Sequence, residues 1–122
     1  MGMPGITYST YTHRGLTFFL AWYDKSFIPG SFLWGHWHYR KTTSGKVVPT
    51  RFEILGCFTE PTWRCQGIMT GLIGQVFDTK TCECVYTDDG SKNGGKQLIK
   101  AMGFQRCSAT KIWYLQRPKK GK

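Results

Sequence analysis

Hydrophobic and polar positions alternate through SFLWGHWHYRK, Ser31 to Lys41, and the run is rich in aromatic residues, which predicts a strand. TTSGK then supplies a turn, and a second arm follows it to complete a hairpin, with Pro49 expected to shorten that arm. RFEILGCF, Arg51 to Phe58, is the clearest strand. Strict alternation puts Phe52, Ile54, Gly56 and Phe58 on one face and Glu53, Leu55 and Cys57 on the other. Glu60-Pro61 stops it. From Gln66 to about Asp78 the period changes, and Met69, Leu72, Ile73, Val76 and Phe77 form a helical stripe.

CECVYT, Cys82 to Thr87, reads as a further strand. A helix is expected from about Asn93 to Met102, with Gly103 as its C-cap glycine, and a last strand from about Cys107 to Leu115. At the start of the chain, ITYST predicts a short strand. Leu16, Phe19, Leu20 and Tyr23 then recur at helical spacing and predict a helix from about Thr12. These elements define an α+β (α/β) fold with a mixed, mostly antiparallel central sheet flanked by helices.

Composition narrows the class. The 122 residues suit one domain, expected over residues 1–116, with 117–122 as a basic, flexible tail. A chain that is 40% hydrophobic and 16% aromatic has the apolar surface for a packed core. No apolar run approaches the roughly 20 residues that span a bilayer. The N-terminal segment has no basic stretch leading into an apolar one, and Ile6 stands where a myristoylation motif needs Ser or Thr. Five cysteines without a Cys-x-x-Cys pair argue against a disulfide framework. The expectation is a soluble cytoplasmic protein. A formal charge of +10 points to an anionic partner: nucleic acid, a phosphorylated cofactor or an acidic protein surface.

Two segments compete to hold a phosphate. GSKNGGKQ, residues 90–97, follows the opening of a P-loop, but Gln97 replaces the Ser or Thr that binds magnesium, so a glycine-rich turn is the better reading. TWRCQGIMTGL, Thr62 to Leu72, joins the clearest strand to the amphipathic helix. Gly67 lets the backbone turn, the amides of about Gln66 to Thr70 are the helix's first-turn donors, and Arg64 adds a charge beside them.

Arg64-Cys65-Gln66-Gly67-Ile68-Met69 resembles the Gln/Arg-x-x-Gly-x-Gly/Ala signature of the GNAT N-acetyltransferase superfamily, with Met69 in place of the last small residue. LIKAMGF, Leu98 to Phe104, resembles that family's later helix ending in Gly-Phe. The resemblance covers roughly Arg51 to Leu115. It implies an acyltransferase that moves an acetyl group from acetyl-CoA to a primary amine of a protein or small molecule. It implies a cofactor site at Phe58, Thr59, Arg64, Cys65, Gln66, Gly67, Ile68, Met69 and Thr70. In Glu53-Ile-Leu-Gly-Cys57, similar to the corresponding strand of protein-acetylating members, Glu53 takes the role of general base and Cys57 supplies a backbone donor. The tyrosine that often protonates the leaving thiolate is replaced by Ile99, which leaves water or Tyr86 for that step. Small size and a drifting signature also fit a virus-encoded member, in the host cytoplasm, or one that binds without catalysing.

Other residues permit other readings. Glu53 could instead pair with a nearby Lys or Arg on an exposed sheet edge, and Glu60 is a second carboxylate for the base. His36 and His38 share a strand face, as do Cys82 and Cys84, and neighbouring strands would bring the four together around zinc. Structural zinc more often uses turn-borne cysteine pairs, so no metal is assigned. Trp34, Trp37, Tyr39 and Trp63 among basic residues suggest stacking on single-stranded nucleic acid, which makes a basic nucleic-acid-binding protein the alternative function beside a non-catalytic GNAT-like module.

Overall fold

A computed structural model describes residues 5–23, 28–61, 67–88, 99–100 and 102–118. Seven strands, β1 (Ile6–His13), β2 (Leu16–Tyr23), β3 (Ser31–Lys41), β4 (Val47–Thr59), β5 (Cys84–Thr87), β6 (Gln105–Cys107) and β7 (Ile112–Gln116), form one sheet in the order β1-β2-β3-β4-β5-β7-β6. All neighbours are antiparallel except β4 and β5. Parallel neighbours need a crossover, and here it carries α1 (Ile68–Phe77).

The helix expected from Thr12 is instead β2. Arg14 and Gly15 both have positive φ, 52° and 80°, which makes the two-residue turn of a tight hairpin. LTFFLAWY is apolar on both sides, so a helical spacing was satisfied by coincidence. As a strand it alternates, with Thr17, Phe19 and Ala21 buried and Phe18, Leu20 and Trp22 half-buried. The last predicted strand is likewise two: β6 and β7 enclose a turn at 108–111, where Lys111 has φ 60°. Pro49 does not end its strand. β4 passes through it with a register shift opposite His38 and Tyr39.

The core lies on one face of the sheet. Phe19, Leu33, Phe52, Ile54, Cys57 and Val85 meet the α1 stripe of Ile68, Leu72, Ile73, Val76 and Phe77. Each such side chain contributes about 1.5–3 kcal/mol of burial. Ile99 and Phe104 join the same cluster. Phe104 N–H donates to Ile99 O at 3.1 Å and Gly103 has φ 71°, the expected C-cap. Helix therefore packs on a single face among the described residues, rather than flanking the sheet. The other face presents Tyr11, Phe18, Phe32, Trp34 and Phe58, and, toward β5, His36, His38, Glu53 and Tyr86.

Arg117 is docked: its N–H donates to Glu83 O, and its guanidinium donates to Cys82 O at 3.0 Å and lies 5.9 Å from the Phe77 ring. Residues 119–122 of the expected tail lie outside the described residues. No helix among the described residues is long and apolar enough to cross a membrane.

Candidate active site

The site is built on the parallel pair. β4 and β5 run in register from Arg51↔Cys84 to Glu53↔Tyr86, and Thr87 Oγ1 then donates to Ile54 O at 3.3 Å. β5 ends there, but β4 continues to Thr59. Beyond Ile54 the described residues of β5 no longer accompany β4. In sheets with parallel strands, ligands bind in such crevices at the carboxyl ends.

A bulge changes which side chains face the crevice. Gly35 pairs with Ile54 and Trp34 with Gly56, so Leu55 is the extra residue. The alternation expected from Arg51 to Phe58 is therefore inverted after Leu55. Glu53 and Phe58 share the outer face, and Cys57 falls on the core face opposite Leu33. The expectation that Glu53 and Cys57 share a face is corrected by that one residue. Burial pushes the Cys57 thiol up to about 11, so its sulfur stays protonated at neutral pH.

Glu53 is half-buried. His38, a diagonal neighbour on β3, donates from Nε2 to Glu53 Oε1 at 2.9 Å. Tyr86 O–H donates to the same oxygen over a long 3.5 Å contact. The His38 and Tyr86 rings lie 5.8 Å apart, so the three side chains form one cluster. Burial, then the adjacent Glu53 carboxylate, pushes the Tyr86 hydroxyl above its usual range. The lysine or arginine partner considered for Glu53 is thus a histidine. The sequence offers His38 only as a metal ligand, because its place beside Glu53 depends on the register of β3 against β4.

Along the chain, α1 follows the end of β4. Gly67 is its N-cap with φ 75°, a left-handed conformation that costs a side-chain-bearing residue about 1–2 kcal/mol. The helix's own ladder starts with Gly71 N–H donating to Gly67 O, so the amides of Ile68, Met69 and Thr70 precede it. Gly67 gives no side-chain cap, and no acidic residue occupies the first turn. Ile68 is buried, and Met69 is partly buried against the core. Thr70 Oγ1 donates to Met102 Sδ at 3.4 Å. Phe58 is exposed, with its ring 5.5 Å from Phe32, and Thr59 Oγ1 is 2.9 Å from Ser31 Oγ. Arg64, Cys65 and Gln66 lie outside the described residues, as do residues 90–97, Asn93 and Trp63. Ile99 is in the core.

The four zinc candidates do not meet. β4 separates β3 from β5, and Cys82 is buried on the core side. No three His, Cys, Asp or Glu side chains among the described residues are grouped to hold a metal. The proposed stacking set is also divided: Trp34 is on the outer face, but Trp37 packs into the core, its ring 5.0 Å from Phe52.

No known family profile matches the sequence, and no curated protein sequence does. Solved structures do match. One is the Y144F mutant of the AtaT toxin, bound to the C-terminus of the antitoxin AtaR and to acetyl-CoA. It matches at a TM-score of 0.60 and 7% identity, over 92% of this chain and 93% of that one. Another is a candidate acetyltransferase of the GNAT family from Desulfovibrio desulfuricans, at a TM-score of 0.52 and 13% identity, over 84% of this chain and 69% of that one. The sheet with its one parallel pair, its crossover helix and these two likenesses lead to one statement: the chain has the fold of the GNAT acetyltransferases.

Proposed function

We propose that the chain is an acetyl-CoA-dependent N-acetyltransferase. The observation that carries this reading is the Glu53–His38–Tyr86 cluster at the point where β4 and β5 part company. It is supported by a structural neighbour with acetyl-CoA bound.

Fit of the cofactor rests on the helix start. The first-turn amides of α1, with an uncharged first turn and the positive end of the helix dipole behind them, suit a pyrophosphate. Gly67, Ile68, Met69 and Thr70 would hold it there, with Arg64, Cys65 and Gln66 preceding them. Phe58 and Thr59 would line the pantetheine arm along β4. When bound, acetyl-CoA supplies an activated acyl thioester.

The protein's own groups then have three tasks. Glu53 takes the proton of the incoming amine, directly or through water. The backbone N–H of Cys57, just past the bulge, stabilises the oxyanion. Its buried, protonated thiol is not a nucleophile. Tyr86 donates a proton to the departing thiolate, the role that Ile99 cannot fill. A hydroxyl held protonated by burial and by Glu53 remains available as an acid across the physiological range. His38 fixes the Glu53 carboxylate in place.

Thiol release from acetyl-CoA with a panel of amines tests the reading. Release that depends on amine, and falls when Glu53 is changed to Gln, supports it. Cofactor binding without release under any amine would leave the non-catalytic GNAT-like module as the function.

A further inference from the structure

Five aromatic rings on the sheet face opposite α1 form a continuous row across four strands. Tyr11 on β1 lies 6.3 Å from Phe18 on β2, and Phe18 lies 6.3 Å from Trp34 on β3. Trp34 is 5.6 Å from Phe32, which is 5.5 Å from Phe58 on β4. Cross-strand pairing places all five on the face opposite α1. The acetyl-transfer reading draws on the β4–β5 end of that face and, of the row, on Phe58 alone, so Tyr11, Phe18, Phe32 and Trp34 need another explanation.

The row is built and remains accessible. Trp34 rests on Gly56: a Cβ there would stand 2.3 Å from its Cη2 and Cζ2, so the absent side chain makes room for the indole. Phe18 stacks beside it with an interplanar angle of 21°. At the two ends Tyr11 is 55% and Phe58 43% exposed. Helix covers only the opposite face among the described residues. Rings this exposed on an ordinary sheet face would be an aggregation hazard unless a partner uses them.

Charge selects the partner. Glu53 is the only acidic residue in β1 to β4, and it is paired with His38. The same strands hold His13, stacked on Tyr11 at 6.0 Å, together with His36, His38 and the exposed Arg51, and Arg14 stands at the β1–β2 turn. The whole chain carries +10. An apolar protein surface would match the rings but gain nothing from that excess. An acidic peptide would match the charge but not a row of planar rings. Unpaired nucleotide bases on a phosphate backbone match both.

We propose that this face is a stacking platform for single-stranded nucleic acid, with Tyr11, Phe18, Phe32, Trp34 and Phe58 meeting bases and Arg51 and Arg14 meeting phosphates. The proposal does not depend on acetyl transfer.

Fluorescence anisotropy of the full chain with a labelled mixed-sequence single strand of about ten nucleotides tests it. Binding should be tighter than to the same sequence as duplex. Log affinity should fall against log salt with a slope of about −1.4 for two phosphate contacts. Tyr11→Ala and Phe58→Ala should each weaken binding about five- to tenfold with the thermal midpoint unchanged. Arg51→Gln should make the slope shallower by about 0.7. The proposal is overturned by affinities that ignore both aromatic variants or by equal affinity for polyglutamate. It is also overturned by a dimer in sedimentation that Phe58→Ala disperses.

Discussion

His38 Nε2 stands 2.9 Å from Glu53 Oε1 across the β3–β4 ladder, one diagonal step off register. A carboxylate held this way has a fixed direction, as a general base requires. Glu53→Gln should therefore lower kcat/KM for thiol release by about 100-fold or more, the usual contribution of a general base. His38→Ala should cost about tenfold, the worth of a hydrogen bond to a charged group. His38→Gln, which keeps an N–H donor, should recover most of that loss. Steady-state kinetics on the three variants gives the comparison.

Tyr86→Phe separates the roles within the cluster. It removes the hydroxyl but keeps the ring beside His38. If Tyr86 is the acid, kcat should fall about 100-fold, with KM for acetyl-CoA little changed. Because the hydroxyl is shifted above its usual range, the wild-type rate should show no loss from Tyr86 ionisation below about pH 10. A pH–rate profile reads both.

Buried thiols predict alkaline instability. Burial raises Cys57 to about 11, and burial together with Cys84 raises Cys82 to about 12, both from an unfolded value of 9.0. A raised folded-state value means the native state holds its proton longer. The stabilisation is complete below pH 9 and is lost as pH rises through 11 and 12. Each thiol contributes a slope of up to about 1.4 kcal/mol per pH unit in that window. Urea unfolding at pH 8, 9.5 and 10.5 should follow this fall, and Cys57→Val should flatten it.

Two glycines mark where β3 and β4 touch most closely. A Cβ on Gly35 would stand 1.8 Å from the Glu53 carbonyl oxygen, whereas one on Gly56 would meet the movable Trp34 indole at 2.3 Å. Backbone cannot yield as a side chain can. Gly35→Ala should thus cost at least about 3 kcal/mol and disturb Glu53, while Gly56→Ala should cost about 1–3 kcal/mol. Denaturant midpoints of the two variants should rank accordingly.

Much of this fold could be read from the chain because its patterns were local. The β3 alternation, the α1 stripe and the Gly103 cap each depend on residues within a few positions of one another, and each is found where expected. β2 departs from the helix its spacing predicts because LTFFLAWY is apolar on both faces and fits either period. Glu53 was recognisable, but its partners were not. His38 reaches it through the β3–β4 register, which shifts between His38 and Tyr39, and Tyr86 through the parallel pairing with a strand that follows only after α1. The Leu55 bulge turns Cys57 inward, which no alternation rule anticipates.

The most direct test of the account is a calorimetric titration of acetyl-CoA into the wild-type chain and into Gly67→Ala, whose added Cβ strains the φ of 75° at the start of α1. The account predicts saturable one-to-one binding to the wild type, weakened about tenfold in the variant. No binding to the wild type at millimolar acetyl-CoA would contradict it.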